Sequence, residues 1–414
     1  MFVKRLRTCY YGVVMEHKSN RVIWTLKYTL LNAAYFSAFC TIHAYAAVYL
    51  LANGFNNTEV GILLAVANIL SAVLQPVIAG VIDRPGFLTN KLYILISVAI
   101  ILAGSLMLLF VPGSKAMIFV IYAMIYMVQF VYQPVMTALC FEYQKKGCDI
   151  FYGLARGLGS AGFAVTSLFI GRAVENSGVT VLLWVTVAVM IVSVVVTLTF
   201  RAPDNGGASE AAGTDASQVA HNSLSSFARI YPAFMLFLVG TICFFFAHNM
   251  INDFMIVIIR NLGGNETELG YATFLQAILE LPVMALIGVI LKKISADKLL
   301  IFSGAAFLVK ILILVFATGM AQMYVSQFFQ MFAYAVFIPA GAYYVSSTME
   351  ELDQVKGQAF ITSAITIGGV FSNLISGVIL DHLGITVMLV IGSIVCAVGV
   401  VVTYVGLKKL PHHV

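Results

Sequence analysis

The chain has 414 residues, of which 61% are hydrophobic and only 10% carry charged side chains. Soluble domains average about 25% charged residues, so this composition excludes an ordinary soluble protein. The net charge of +5 does not indicate nucleic-acid binding, because in a membrane protein the placement of charges matters more than their sum. We therefore predict a helical membrane protein that crosses the bilayer many times.

The first 22 residues are polar and basic, which differs from a cleavable signal peptide, so the first helix is expected to stay. Twelve apolar runs follow, each near the length of about 20 residues that crosses a bilayer. They cover approximately 24–51, 60–82, 92–112, 117–141, 152–171, 179–200, 229–259, 268–291, 299–318, 321–348, 358–381 and 384–407. The predicted fold class is all-α, with twelve transmembrane helices.

The distribution of basic residues predicts the orientation in the membrane. With both termini in the cytoplasm, 17 of the 23 lysines and arginines lie on the cytoplasmic side and three lie outside. Cytoplasmic loops carry the excess of basic residues, so we expect both termini to be cytoplasmic. We expect the protein to lie in the lipid bilayer of the cell membrane, which is either a plasma membrane or an inner membrane.

Residues 202–227 interrupt the apolar pattern with small and polar side chains typical of a flexible linker. They separate six spans from six. The predicted domains are an N-terminal six-helix bundle at 1–201, a cytoplasmic linker at 202–227 and a C-terminal six-helix bundle at 228–414.

The two halves of the chain resemble each other. Asn57–Gly61 opens the second span as Asn-Thr-Glu-Val-Gly, and Glu266–Gly270 opens the eighth as Glu-Thr-Glu-Leu-Gly. Glu175 ends the fifth span and Asp381 ends the eleventh at the matching place. A repeat of this kind predicts two pseudo-symmetric bundles of one topology, and transporters so built bind substrate near the membrane midplane.

A charged residue lies inside the fifth span. Arg156, Ser160 and Phe163 follow at helical spacing on one face, in a segment rich in glycine. A guanidinium at this depth costs about 3 kcal/mol or more unless it is paired. Arg156 is either a buried structural residue or a ligand-binding residue that faces a water-filled cavity. We favour the second, because charges within the membrane usually face such cavities.

Other spans carry uncharged polar residues. The further candidate substrate-binding residues are Gln129 and Gln133 on the fourth span, His248 and Asn252 on the seventh, and Gln327 and Gln330 on the tenth. Such side chains also hold helices together without touching a ligand. Grouped around one arginine, they favour a polyhydroxylated or heterocyclic ligand.

The eighth and ninth spans form a hairpin with a loop centred near Ser295. Glu280 lies 15 residues before this point and Lys310 lies 15 after, so both are about 22 Å along their helices. Their equal depth predicts an ion pair. Glu280 is the favoured proton-coupling residue, with Lys310 as its partner and His248 as the next candidate.

The six cysteines have no metal-binding or disulfide spacing, and most read as small buried hydrophobic residues. We predict no metal and no cofactor. The chain also lacks a nucleotide-binding motif and a catalytic Ser–His arrangement, so an enzyme is not expected.

Several segments resemble the major facilitator superfamily, and within it the lactose-permease-like branch of proton-coupled sugar symporters. The resemblance covers nearly the whole chain and rests on NNTEVGILLAVANILSAVLQPVIAGVIDRPGFLTNK, YGLARGLGSAGF, GYATFLQAILE and FLVKILILVFATG. It implies that Arg156 hydrogen-bonds substrate hydroxyls and that Phe163 replaces a stacking tryptophan. It also implies that Asp83 is the aspartate of the superfamily's conserved loop.

The chain departs from the permease at several functional positions. By the resemblance, the sugar-binding glutamate of the fourth helix falls at Thr137 or Ala138, and the arginine of the ninth becomes Lys310. The proton-coupling histidine and glutamate of the tenth helix become Gln330 and Ala333. Branches that carry nucleosides or oligosaccharides share the Glu-Leu-Pro signature that begins at Glu280.

The predicted function is secondary active transport by alternating access, with proton-coupled symport of a sugar or oligosaccharide favoured. A nucleoside or organic-anion symporter is the alternative, and a drug exporter or a transport-like sensor is less favoured. The expected partners are a small-molecule substrate and a proton, without nucleic acid. The chain is expected to be a monomer.

Overall fold

The computed structural model describes residues 2–82, 88–111, 113–201 and 224–409, and of residues 2–19, 224–226, 352 and 409 only the backbone. Every regular element in these ranges is helical. The helices before residue 202 are α1 (Phe2–Phe39), α2 (Ala46–Ala52), α3 (Asn57–Ile82), α4 (Asn90–Phe110), α5 (Lys115–Lys145), α6 (Tyr152–Ser177) and α7 (Thr180–Leu198). The predicted all-α fold class is confirmed.

The remaining helices follow the predicted linker. They are α8 (Leu224–Ile230), α9 (Pro232–Asp253), α10 (Met255–Asn261), α11 (Glu266–Ile290), α12 (Ala296–Val315), α13 (Met320–Phe328), α14 (Tyr334–Thr348), α15 (Glu351–His382) and α16 (Ile385–Lys409). Within the described part of the chain, eleven helices are long and apolar enough to cross a membrane. The count is twelve if the bent pair Asn20–Ala44 and Ala46–Ala52 forms one span.

Two spans are interrupted near their middle. The first has a π-helical segment at Cys40–Ala44 and bends by 48° before α2. The tenth, Met320–Thr348, contains a short 3₁₀ segment at Phe329–Met331 between α13 and α14. Such changes of helical winding often mark functional positions, because they redirect side chains and alter backbone hydrogen bonding.

The chain divides into two compact units. The first takes its described residues from Met1–Ile42, Val73–Thr166 and Leu182–Ser209, and the second from His43–Ala72, Ser167–Val181 and Glu210–Val414. In the first unit the ring of Tyr35 lies edge-on to that of Tyr132, with centroids 4.9 Å apart. In the second unit the rings of Phe244 and Phe307 stack with centroids 5.8 Å apart.

Two predicted features fall on residues without a described structure. Asp83, the predicted conserved-loop aspartate, lies outside the described residues, and so do residues 202–223 of the predicted linker. The linker was expected to reach residue 227, and α8 already begins at Leu224. The division into domains at 202–227 stays a prediction.

Candidate functional site

Arg156 lies on α6 in the first unit, and its guanidinium contacts its own helix and α1. Its Nη1 donates a hydrogen bond to Ser160 Oγ at 2.9 Å. Its Cζ lies 4.1 Å from the centroid of the Phe36 ring, which is the distance of a cation–π contact. No ion pair with a carboxylate is formed by Arg156 among the residues that the structure describes. The side chain is half-buried, and the hydrogen bond to Ser160 uses one of its five N–H donors.

Glycines let α6 approach α1 closely at two positions behind this arginine. A Cβ atom on Gly159 would lie 2.8 Å from the Cβ of Asn32, and one on Gly162 would lie 3.2 Å from the Cα of Ala33. A Cβ atom on Gly153 or Gly157 would have no described atom of a neighbouring helix within 4 Å. Close packing of α6 against α1 therefore involves two of the four glycines in this segment.

The other predicted residues of the first half differ in exposure. Phe163 is half-buried, with its ring 6.3 Å from that of Phe39, and Gln133 is half-buried on α5. Gln129 is fully buried, and its Nε2 donates to the Tyr35 carbonyl at 3.1 Å. The Tyr35 hydroxyl in turn donates a hydrogen bond to the backbone carbonyl of Gln129 at 3.0 Å. Gln129 thus joins α1 to α5, which is the structural role considered for such amides.

A chain of three polar side chains crosses the second unit. Lys310 Nζ on α12 donates to Gln330 Oε1 at 2.6 Å, and Gln330 Nε2 donates to Glu280 Oε1 on α11 at 2.9 Å. Lys310 and Gln330 are fully buried, and Glu280 is half-buried. A lysine has only donors, so the amide oxygen must face it and the amide nitrogen then faces the carboxylate. This arrangement fits an ammonium and an ionised carboxylate joined through one amide.

The direct Glu280–Lys310 ion pair expected from equal depth is thus replaced by a bridge. Gln330 lies in the 3₁₀ segment that interrupts the tenth span. Ser303 Oγ on α12 donates to the Ala333 carbonyl beside that segment at 2.7 Å, and Ser326 Oγ donates to the Lys310 carbonyl at 3.0 Å. These two contacts hold the interrupted span against α12 and direct the Gln330 side chain between the two charges.

His248 lies on α9 among aromatic side chains and is only 6% exposed. Its ring stacks on that of Tyr334 at 15°, with centroids 5.3 Å apart. Its Nε2 is 2.8 Å from Asn252 Nδ2 one turn later, and Asn252 is half-buried. Gln327 is fully buried, and its Oε1 has no hydrogen-bond partner among the described residues.

The structure brings the predicted residues together in two groups, with Arg156 and Ser160 in one unit and Glu280, Gln330 and Lys310 in the other. In the described ranges no three His, Cys, Asp or Glu side chains gather as a metal ion would require. The sequence did not reveal that Gln330 connects Lys310 to Glu280.

Comparisons with known proteins define the class. The structure of the nucleoside transporter NupG matches with a TM-score of 0.78 and 15% identity, over 94% of this chain and 100% of that one. The POT family transporter PepTSo matches with a TM-score of 0.71 and 10% identity, over 94% and 99% of the two chains. A bacterial homolog of the human lysosomal transporter Spinster matches with a TM-score of 0.67 and 12% identity, over 94% and 97%. At these identities the likeness shows the fold alone.

The helical architecture is therefore that of these solved transporters, and the predicted fold is confirmed. The chain belongs to the MFS_1 like family, whose family model matches residues 23–391. The protein is a multi-pass membrane transporter of the major facilitator type. No curated protein matches the chain in sequence. Membership of the lactose-permease-like branch stays a prediction.

Proposed function

We propose that the protein is a proton-coupled symporter of a sugar or oligosaccharide in the lactose-permease-like branch. The bridge from Glu280 through Gln330 to Lys310 carries this proposal, because it places an acid and a base in one buried network within membrane-spanning helices. Ionisable residues inside a membrane are expensive to bury and commonly belong to substrate or proton pathways.

The substrate is proposed to bind at Arg156. An arginine beside a serine hydroxyl presents several hydrogen-bond donors, and the half-buried ring of Phe163 follows on the same helix face. A sugar offers the matching surface, because its hydroxyls accept hydrogen bonds and its ring carbons pack on aromatic faces. Since no described carboxylate pairs with Arg156, its donors are available for the substrate.

The proton is proposed to bind at Glu280, which is the half-buried member of the network. In the arrangement seen here the carboxylate accepts the amide hydrogen of Gln330, which fits its ionised form. A shift of the 3₁₀ segment would withdraw Gln330 and leave the carboxylate to bind a proton. Such a change between two states is what couples proton movement to alternating access.

A nucleoside is the second candidate, and a different group of residues favours it. The imidazole of His248 stacks on Tyr334 and lies next to the Asn252 amide. Aromatic and amide groups together recognise a flat heterocycle as well as its ribose hydroxyls. The matching fold of NupG, described as a nucleoside transporter, adds to this candidate.

Transport by purified protein in proteoliposomes tests these proposals. Counterflow with a panel of sugars, oligosaccharides, nucleosides and organic anions identifies the substrate, and an inward proton gradient should then drive its accumulation. We expect a sugar or oligosaccharide to exchange. Exchange of nucleosides alone would replace the favoured substrate with the second candidate, and accumulation that follows a sodium gradient instead would contradict proton coupling.

In the same liposomes, Glu280→Gln should keep substrate counterflow and lose uphill accumulation. The amide keeps the size of the side chain but has no proton to exchange. Glu351→Gln, an exposed glutamate on α15, is the matched control and should accumulate substrate as the wild type does. Wild-type accumulation and proton stoichiometry in Glu280→Gln would exclude Glu280, and His248 would be tested in its place.

The orientation is proposed from the charge distribution, with both termini in the cytoplasm of a plasma or inner membrane. A reporter enzyme fused after Lys409 should be active only on the cytoplasmic side, and one inserted near Gly213 should behave in the same way. Activity of either reporter on the opposite side would reverse the proposed orientation.

The monomeric state is proposed as well and is measured by light scattering of the purified protein.

A further inference from the structure

The first turn of α3 is held by a carboxylate from a distant part of the chain. Asp381, near the end of α15, accepts hydrogen bonds at Oδ1 from the backbone N and the Nδ2 of Asn57, at 3.1 and 2.9 Å. Its Oδ2 accepts from the backbone N and the Oγ1 of Thr58, at 2.7 and 2.6 Å. The first N–H groups of a helix have no partner within the helix and attract negative charge, so this carboxylate is well placed.

The repeat produces a second contact of the same kind. Glu175, near the end of α6, accepts hydrogen bonds at Oε1 from Asn265 Nδ2 at 2.7 Å and at Oε2 from Thr267 Oγ1. Thr267 is the repeat equivalent of Thr58, and Glu175 is that of Asp381. Both contacts lie within the second unit and join a helix of one sequence half to a helix of the other.

The backbones come unusually close at both contacts. A Cβ atom on Gly61 of α3 would lie 2.1 Å from the carbonyl oxygen of Asn373 on α15. One on Gly270 of α11 would lie 2.4 Å from the carbonyl oxygen of Ser167 on α6. Real Cβ atoms do not approach so closely, so only glycine permits either helix pair to meet in this way.

Both helix starts also carry a capping box of their own. Asn56 and Glu59 already form a capping box at the start of α3, with hydrogen bonds of 2.8 Å in both directions. Asn265 and Glu268 form the same box at the start of α11. The box of α3 pairs the backbone N–H groups of Asn56 and Glu59, so Asp381 both accepts those of Asn57 and Thr58 and connects α15 to α3. Glu175 accepts from two side chains of α11 and its cap, so its contacts connect α6 to α11 without pairing backbone N–H groups.

We propose that Asp381 and Glu175 are positioning residues of the transport cycle. Together they form a repeat clasp that keeps α3 against α15 and α11 against α6, and the clasp must open for the transporter to open at this end of the spans. Both contacts are exposed at their edges, so water can replace the donors when the helices separate. This inference rests on the proposed alternating access.

Thiol labelling tests the clasp without requiring a known substrate. In a background with the six native cysteines replaced by alanine, Asn373→Cys and Ser167→Cys place reporters at fully buried positions where the two helix pairs meet closely, about 12 Å along the helix from Asp381 and Glu175. Thr362→Cys places a third at an exposed position of α15, about 28 Å from Asp381 along the helix. The protein is reconstituted in nanodiscs and labelled with a charged maleimide, which reaches thiols in water from both membrane faces.

Asp381→Ala should raise the labelling rate at Asn373→Cys by at least about tenfold, the factor for one hydrogen bond to a charged group, because Asp381 accepts four such bonds. Asp381→Asn keeps one acceptor oxygen and should give a smaller increase. Glu175→Ala should act in the same way at Ser167→Cys. Glu351→Ala changes an exposed acid at the opposite end of α15 and should have no effect.

The third reporter separates a gating role from simple loosening. If opening at the clasp closes the other end, labelling at Thr362→Cys should fall as labelling at Asn373→Cys rises. Unchanged labelling at Asn373→Cys in folded Asp381→Ala protein, or no fall at Thr362→Cys, would overturn the proposal. Expected labelling in a protein that moves no solute of the transport panel would keep the clasp and reject the proposed substrate class. Transport of a solute of the panel with unchanged labelling would keep the proposed substrate class and reject the repeat clasp.

Discussion

Replacing Arg156 with lysine is expected to weaken substrate binding by about 100-fold while the protein stays folded. Lysine keeps the positive charge but loses the planar guanidinium that grips two oxygens at once. Each hydrogen bond to a charged group contributes about 1.5–3 kcal/mol, and about 1.4 kcal/mol corresponds to tenfold in affinity. Calorimetric titration with the solute identified in liposomes measures the change.

Arg172→Lys is the matched control for this experiment. Arg172 lies on the same helix, is exposed, and donates from Nη2 to the Tyr271 hydroxyl at 3.1 Å. Its replacement should leave substrate affinity unchanged. Gel filtration and the melting temperature of each variant confirm that the fold is intact. Wild-type affinity in Arg156→Lys would remove Arg156 from the binding site and return it to a structural role.

Replacing Lys310 with alanine is expected to lower the free energy of unfolding by about 3–5 kcal/mol, the range found when one partner of a buried charged pair is removed. Lys310 is fully buried, and without it the Gln330 Oε1 atom loses its partner while Glu280 keeps a charge without a counter-charge. Unfolding in mixed micelles of dodecyl maltoside and SDS measures the change. Lys298→Ala, at an exposed position of the same helix, should change stability by less than about 0.5 kcal/mol.

A double-mutant cycle shows whether the two charges depend on each other. Glu280→Gln combined with Lys310→Met removes both charges and keeps the side-chain volumes close to the original. This variant should therefore recover part of the stability lost on removing Lys310 alone. Strictly additive effects would show that the bridge through Gln330 does not couple them.

The amino-acid sequence determined the class of this protein and predicted twelve spans, and the described residues contain eleven such helices, or twelve with the bent pair as one span. A span needs about 20 apolar residues in a row whatever its neighbours are, so the runs identify spans without knowledge of their packing. The repeat was also visible, because Asn57–Gly61 and Glu266–Gly270 keep the same residue types at the same places. The rise of 1.5 Å per residue placed Glu280 and Lys310 at one depth, and the structure connects them.

Only the tertiary structure decided which side chains meet. Depth along a helix follows from residue number, whereas the direction of a side chain depends on how neighbouring helices pack and where their winding changes. The 3₁₀ segment therefore puts Gln330 between two charges that were expected to touch. The contact of Asp381 with Thr58 joins residues far apart in the chain, and no local pattern encodes it. The repeated motifs identified equivalent helix starts at Asn57 and Glu266. Only the packing of the helices showed that Asp381 contacts the first and Glu175 the second.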